Sequence, residues 1–124
     1  MSATDARRTV LELFDALHRL DWERYYGLMT DDIDYRMGTE LQLRGVEAVR
    51  RSMARLGTFT RMDAQIIAMV AEGDTVMTER IDHVEVGGRR ADLPVAGTLI
   101  VRNGRIAAWR DYFDWQQWAR QLGL

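Results

Sequence analysis

With 124 residues, 47% apolar and 29% charged, the chain fits one globular domain, 1–124, and excludes a disordered or coiled-coil protein. Its longest apolar run, Ile66–Ala71, is too short to span a membrane, and the N-terminus opens an amphipathic pattern, not a signal peptide, so a cytoplasmic protein with no membrane partner is expected. The net charge is −2, cysteine is absent and all 17 basic residues are arginine, which excludes thiolate and lysine chemistry and argues against a nucleic-acid partner.

Residues 5–20 place Val10, Leu13, Phe14, Leu17 and Leu20 at helical spacing. Asp21 can cap a short second helix carrying Trp22, Tyr25, Tyr26 and Met29, which Thr30, Asp31 and Asp32 end. Ile33, Tyr35 and Met37 then alternate with polar residues, as in a half-buried strand. A third helix over 46–57 turns Val46, Val49, Met53 and Leu56 inward and stops at Gly57. Strands are predicted over 62–71, 75–86, 90–102 and 105–113, joined by turns at Glu72-Gly73-Asp74, Gly87-Gly88 and Asn103-Gly104. Asp114 opens a last helix with Trp115, Trp118 and Leu122 on one face. Helices first and an antiparallel meander after them imply an α+β fold: a curved sheet wrapped around a helix, forming a cone with one pocketed end.

Two strands carry charges on their apolar faces. Arg80 and Asp82 share a face with Val76, Thr78, Val84 and Val86, and Asp111 shares one with Ala107, Trp109 and Phe113. Burying an unpaired carboxylate is expensive, so each needs a partner or a task. A three-residue loop Gly87-Gly88-Arg89 sets Arg80 opposite Ala96, and a two-residue Asn103-Gly104 loop sets Ala96 opposite Asp111. The three residues then form one row, with the small Ala96 leaving room for the guanidinium. A two-residue Gly87-Gly88 loop puts Asp111 on the opposite face unless a bulge compensates, and Pro94 is a candidate position for that bulge. Such an Asp–Arg–Asp network serves either acid–base chemistry or merely the register of the sheet.

The segments Thr78-Glu79-Arg80-Ile81-Asp82, Leu93-Pro94-Val95-Ala96-Gly97 and Trp109-Arg110-Asp111-Tyr112-Phe113-Asp114 resemble the limonene-epoxide hydrolase family. That family has the cone-shaped fold of nuclear transport factor 2, SnoaL-like cyclases and ketosteroid isomerase. The resemblance covers roughly 33–118 and implies Asp82 as general acid to the epoxide oxygen, Asp111 as general base to water, and Arg80 bridging them, with no metal and no cofactor. Burial is then required to raise Asp82 so that it remains a proton donor. The resemblance also implies a water held by Tyr-x-Asn. Here that motif reads Tyr35-Arg36-Met37, so Tyr35 is kept and the asparagine is lost to Met37. Another donor in the asparagine's place, a substrate hydroxyl as nucleophile, or a pocket that binds without catalysis each fit that departure.

Strand parity assigns the pocket wall to Met37, Met53, Leu93, Val95, Thr98, Trp109 and Phe113, which favours a small apolar epoxide of terpenoid, alicyclic or polyketide-like type. The resulting expectation is an epoxide hydrolase giving a vicinal diol. An epoxide-opening cyclase or isomerase is the enzymatic alternative, and a small-molecule-binding domain the non-catalytic one. Ketosteroid-isomerase-like enolisation suits Arg80 between two aspartates poorly. The opposite sheet face is a natural homodimer surface. His18 and His83 each lack a ligand partner at metal spacing. Asp31, Asp32 and Asp34 read as a helix stop and an outward strand residue, and Tyr25 and Tyr26 as packing or one wall of the pocket mouth.

Overall fold

The computed structural model describes residues 2–124. Helix α1 (Ala3–His18) is capped by the Ser2 hydroxyl and lays Val10, Leu13, Phe14 and Leu17 into the core. Helix α2 (Trp22–Gly27), capped by Asp21, buries Tyr25 and Tyr26. It ends two residues before strand β1 (Met29–Met37) begins. The strand therefore starts well ahead of Ile33, and Met29 belongs to it and not to the helix. Thr30 is buried and Asp31 and Asp32 are exposed, and all three continue the strand instead of ending a helix. Strand β2 (Leu41–Arg44), unpredicted because four residues are too few to show a period, folds back on β1. Helix α3 (Val46–Leu56) follows and stops at Gly57, whose φ of 116° suits glycine.

The meander comprises β3 (Phe59–Glu72), β4 (Thr75–Val86), β5 (Arg89–Arg102) and β6 (Arg105–Tyr112), followed by α4 (Trp115–Leu122) with Asp114 as its cap. The six strands form one sheet in the order β2-β1-β6-β5-β4-β3. Every neighbouring pair is antiparallel except β1 and β6. The sheet is therefore mixed, and its helices pack on one face. Register shifts in β3 at Phe59/Arg61 and Ile66/Ala68 mark bulges, which bend a strand and increase its twist. The core lies between α1 and the inner sheet face, built from Leu13, Leu17, Ile33, Leu99, Ile106 and Trp109.

The register departs from the three-residue expectation. Val86 pairs with Arg89 across a two-residue Gly87-Gly88 turn, and Arg80 pairs with Val95. Arg102 pairs with Arg105, as the Asn103-Gly104 turn requires, but Ile100 pairs with Ala108 and Val101 with Ile106. Ala107 is thus the extra residue of a bulge in β6. This bulge, not Pro94, compensates for the short first turn: it returns Trp109 and Asp111 to the inner face, opposite Leu99 and Gly97. Pro94 pairs with Ile81 in an unbroken ladder.

Candidate active site

The site is built on three strands. Thr78, Arg80 and Asp82 are alternate inward residues of β4, Gly97 lies on β5, and Trp109 and Asp111 lie on β6. Arg80 is 1% exposed, Asp82 7% and Asp111 6%. The Arg80 Nε and Nη2 donate to the two oxygens of Asp82, each at 3.0 Å. The Nη1 and Nη2 donate to the two oxygens of Asp111 at 3.1 and 2.9 Å, and Nη1 also donates to the Thr78 hydroxyl at 3.0 Å. All five guanidinium N–H groups are used, which satisfies a buried cation. The Trp109 indole donates a further bond of 2.8 Å to Asp111 Oδ1. Phe14 of α1 lies beneath the guanidinium, 5.1 Å from ring centre to carbon.

The small residue that lets the guanidinium cross is Gly97, not Ala96. A methyl group at Gly97 would collide with Asp111 Oδ1 and stand 2.8 Å from Arg80 Nη1. Ala96 pairs with Glu79 and is exposed on the outer face. The same parity moves Thr98: an inward Ala96 would carry it to the inner face, but the unbroken β4–β5 ladder turns it outward, between Met77 and Arg110. Thr98 is therefore not part of the pocket wall.

Electrostatics act on the network as a unit. Burial pushes the Asp111 carboxyl above the usual carboxylate range, and Arg80 and the Trp109 bond only partly counter it. Burial also opposes the charge on Arg80, but the two carboxylates outweigh it and hold the guanidinium protonated. The raised group is Asp111, the carboxyl that the resemblance makes the base.

An apolar cavity, partly open to solvent, leads to this network. Of the expected wall, Met37, Met53, Leu93, Val95, Trp109 and Phe113 line it, and so do Tyr35, Arg80, Asp82 and Asp111. Sequence reasoning missed Phe14 and Leu17 from α1, Leu56, Phe59, Met62 and Val84, and Trp118 from α4. Period marked Phe14, Leu17, Leu56, Val84 and Trp118 as facing one side, but an inward residue serves core and cavity alike. Phe59 precedes the strand predicted from residue 62. Tyr25 also lines this cavity, while Tyr26 faces a surface recess under Arg50, 4.3 Å from its ring. His18 lies 3.4 Å from Asp63, and His83 bonds Asp92 and Gln65 on the outer face. Asp32 pairs with Arg102, and Asp34 with Arg36 and Gln42. Among the described residues no group of three metal-ligating side chains converges, and no helix is long and apolar enough to cross a membrane.

The family model for the limonene-1,2-epoxide hydrolase catalytic domain matches residues 4–123. The chain belongs to the limonene-1,2-epoxide hydrolase family. A relative, epoxide hydrolase EphG of Mycobacterium tuberculosis, is 32% identical over 100 residues that cover 81% of this chain and 67% of the relative. The solved structure of an M. tuberculosis limonene-epoxide-hydrolase-like epoxide hydrolase superposes with a TM-score of 0.82 at 30% identity. That match covers 98% of this chain and 94% of the other. A putative polyketide cyclase from Xanthomonas campestris pv. campestris matches equally well in shape, with a TM-score of 0.83, covering 97% and 98%. At 21% identity that likeness shows the nuclear transport factor 2-like fold alone.

Proposed function

We propose that the chain is an epoxide hydrolase that adds water in one step to a small apolar epoxide, giving a vicinal diol. The observation that carries this reading is a fully hydrogen-bonded Asp82–Arg80–Asp111 network in the wall of an apolar cavity. With both carboxylates ionised the network has one net negative charge, and one proton makes it neutral, the form that an apolar surround favours. In this reading Asp111, which alone accepts the additional Trp109 bond, is the carboxylate that stays ionised when the epoxide is bound, and the proton stands on Asp82. It passes to the epoxide oxygen as the C–O bond breaks, while Asp111 takes a proton from the water whose oxygen bonds to carbon. Afterwards Asp111 holds a proton and Asp82 does not, and exchange through cavity water restores the start.

Arg80 holds both carboxylates in fixed planes and tempers the charge that moves between them. The two carboxyls form one coupled titrating unit. Met37 and Met53, flexible and polarizable, suit an alicyclic or terpenoid skeleton whose shape the wall must follow. Exposed Ile67, Val70, Met77 and Tyr112 on the sheet support assembly as a homodimer, which sedimentation would test.

The test of activity is incubation with limonene 1,2-epoxide, cyclohexene oxide and a hydroxy-epoxide in oxygen-18 water. Diol carrying one labelled oxygen is expected. Unlabelled cyclic ether alone would establish a cyclase, and unchanged epoxide throughout would leave a binding domain.

A further inference from the structure

We infer that the hydroxyl of Tyr25 is the second group that, with Tyr35, holds the attacking water. The inference rests on the hydrolytic reading of the site. A water has two protons and two lone pairs. For attack, one lone pair must aim at the epoxide carbon and one proton at Asp111. The remaining proton and lone pair need an acceptor and a donor, or the water turns away from its line of attack. One tyrosine hydroxyl cannot serve both on the same water; two can.

The cavity wall offers few polar groups besides Arg80 and its aspartates: Tyr25, Tyr35, Ser52 and the indoles of Trp109 and Trp118. The Trp109 N–H is already committed to Asp111. Both tyrosine rings pack against that same Trp109, at centroid distances of 4.7 Å for Tyr35 and 6.3 Å for Tyr25. They therefore flank the indole that positions the base. Tyr25 is 2% exposed and Tyr35 7%.

Burial pushes both phenols well above their usual range, so each remains a protonated donor at neutral pH. Both tyrosines line the cavity into which Arg80, Asp82 and Asp111 also face. Tyr25 comes from α2, a helix far in sequence from the charged strands, and the Asp21 cap and the Trp22 ring, 5.6 Å away between centroids, fix its position. Met37, on the same strand as Tyr35, offers no donor to the water.

The test is a kinetic cycle of wild type, Tyr25→Phe, Tyr35→Phe and the double variant on cyclohexene oxide. Phenylalanine keeps the ring contacts, so the fold and the unfolding midpoint are expected to persist. Each single variant is expected to lower kcat by about 10–100-fold with KM nearly unchanged. The double variant should lose less than the product of the two, as groups acting on one water do. Full kcat in Tyr25→Phe with an active wild type, or strictly multiplicative losses, would overturn the role of Tyr25 and leave the hydrolase reading intact. A wild type that turns over neither cyclohexene oxide nor limonene 1,2-epoxide would remove both.

Discussion

Two neighbouring strands carry the same tripeptide pattern, Arg80-Ile81-Asp82 on β4 and Arg90-Ala91-Asp92 on β5, and the two pairs lie on opposite faces of one sheet. The inner pair is sealed, with side chains 1% and 9% exposed, and reaches a third group, Asp111. The outer pair is 59% and 42% exposed, and Asp92 is shared with His83. Their surroundings act in opposite directions. Outside, the His83 hydrogen bond leads in holding Asp92 below the usual carboxylate range. Inside, desolvation leads and raises Asp111. An arginine two residues before an aspartate is thus a solvated surface ion pair or part of a sealed network in a cavity wall according to the face it occupies.

The largest contrast should appear in turnover. Asp82→Asn and Asp111→Asn are each expected to lower kcat about a thousandfold or more with the fold retained, whereas Asp92→Asn should stay near wild type. Steady-state kinetics on cyclohexene oxide, with circular dichroism as a check on folding, decides this. Near-full turnover in either inner variant would remove the distinction between the faces.

Stability should divide the pairs next. Arg80→Met leaves two carboxylates buried without their cation and is expected to cost about 3–5 kcal/mol in urea unfolding. Arg90→Met, on the solvated face, should change stability by less than about 1 kcal/mol.

A smaller effect is expected one strand over. Gly97→Ala forces Asp111 or Arg80 aside and should cost about 1–3 kcal/mol together with most of the activity. Ala96→Ser, beside it but facing out, should do neither.

The pH dependences carry opposite signs. Asp111 must be ionised to act as base, so the acid limb of kcat/KM should fall at a pH above the usual carboxylate range. In unfolding, its raised pKa favours the folded state below the unfolded-state value, and that contribution is lost as pH rises through the folded value. Asp92 does the reverse: its contribution is present above the unfolded-state value and is lost as pH falls through the lowered one. Urea unfolding of Asp111→Asn and Asp92→Asn across the acid range should show wild type diverging from the two in opposite senses.

Much of this is legible in the sequence because alternation on β4 is strict: Val76, Thr78, Arg80, Asp82, Val84 and Val86 all face in, as their period requires. The strand ends at 75 and 86 coincide with glycine-marked turns, which locates them to the residue. The partner between Arg80 and Asp111 is not legible in the same way. Loop length at Gly87-Gly88 and the position of a bulge trade off, no local signal separates them, and parity alone selects Ala96 where the structure uses Gly97. The same ambiguity turns Thr98 to the wrong face. Tyr25 is legible as packing or as a wall of the pocket mouth, but helical period does not separate it from Tyr26, and the structure gives the cavity to Tyr25.

The bulge at Ala107 has a consequence for how the site tolerates change. Its side chain touches none of the network's hydrogen bonds, so substitution there is expected to be mild. Losing the residue would only make Ile106, opposite Val101, and Ala108, opposite Ile100, consecutive rungs, so Asp111 would keep its face. One residue added there without a second bulge would instead turn every position from Ala108 to Tyr112 over and Asp111 to solvent. The Asp82–Arg80–Asp111 arrangement therefore depends at this point on a count, not on a chemical identity. A scan of substitutions or deletions would pass over position 107, while a single-residue insertion there would find it at once.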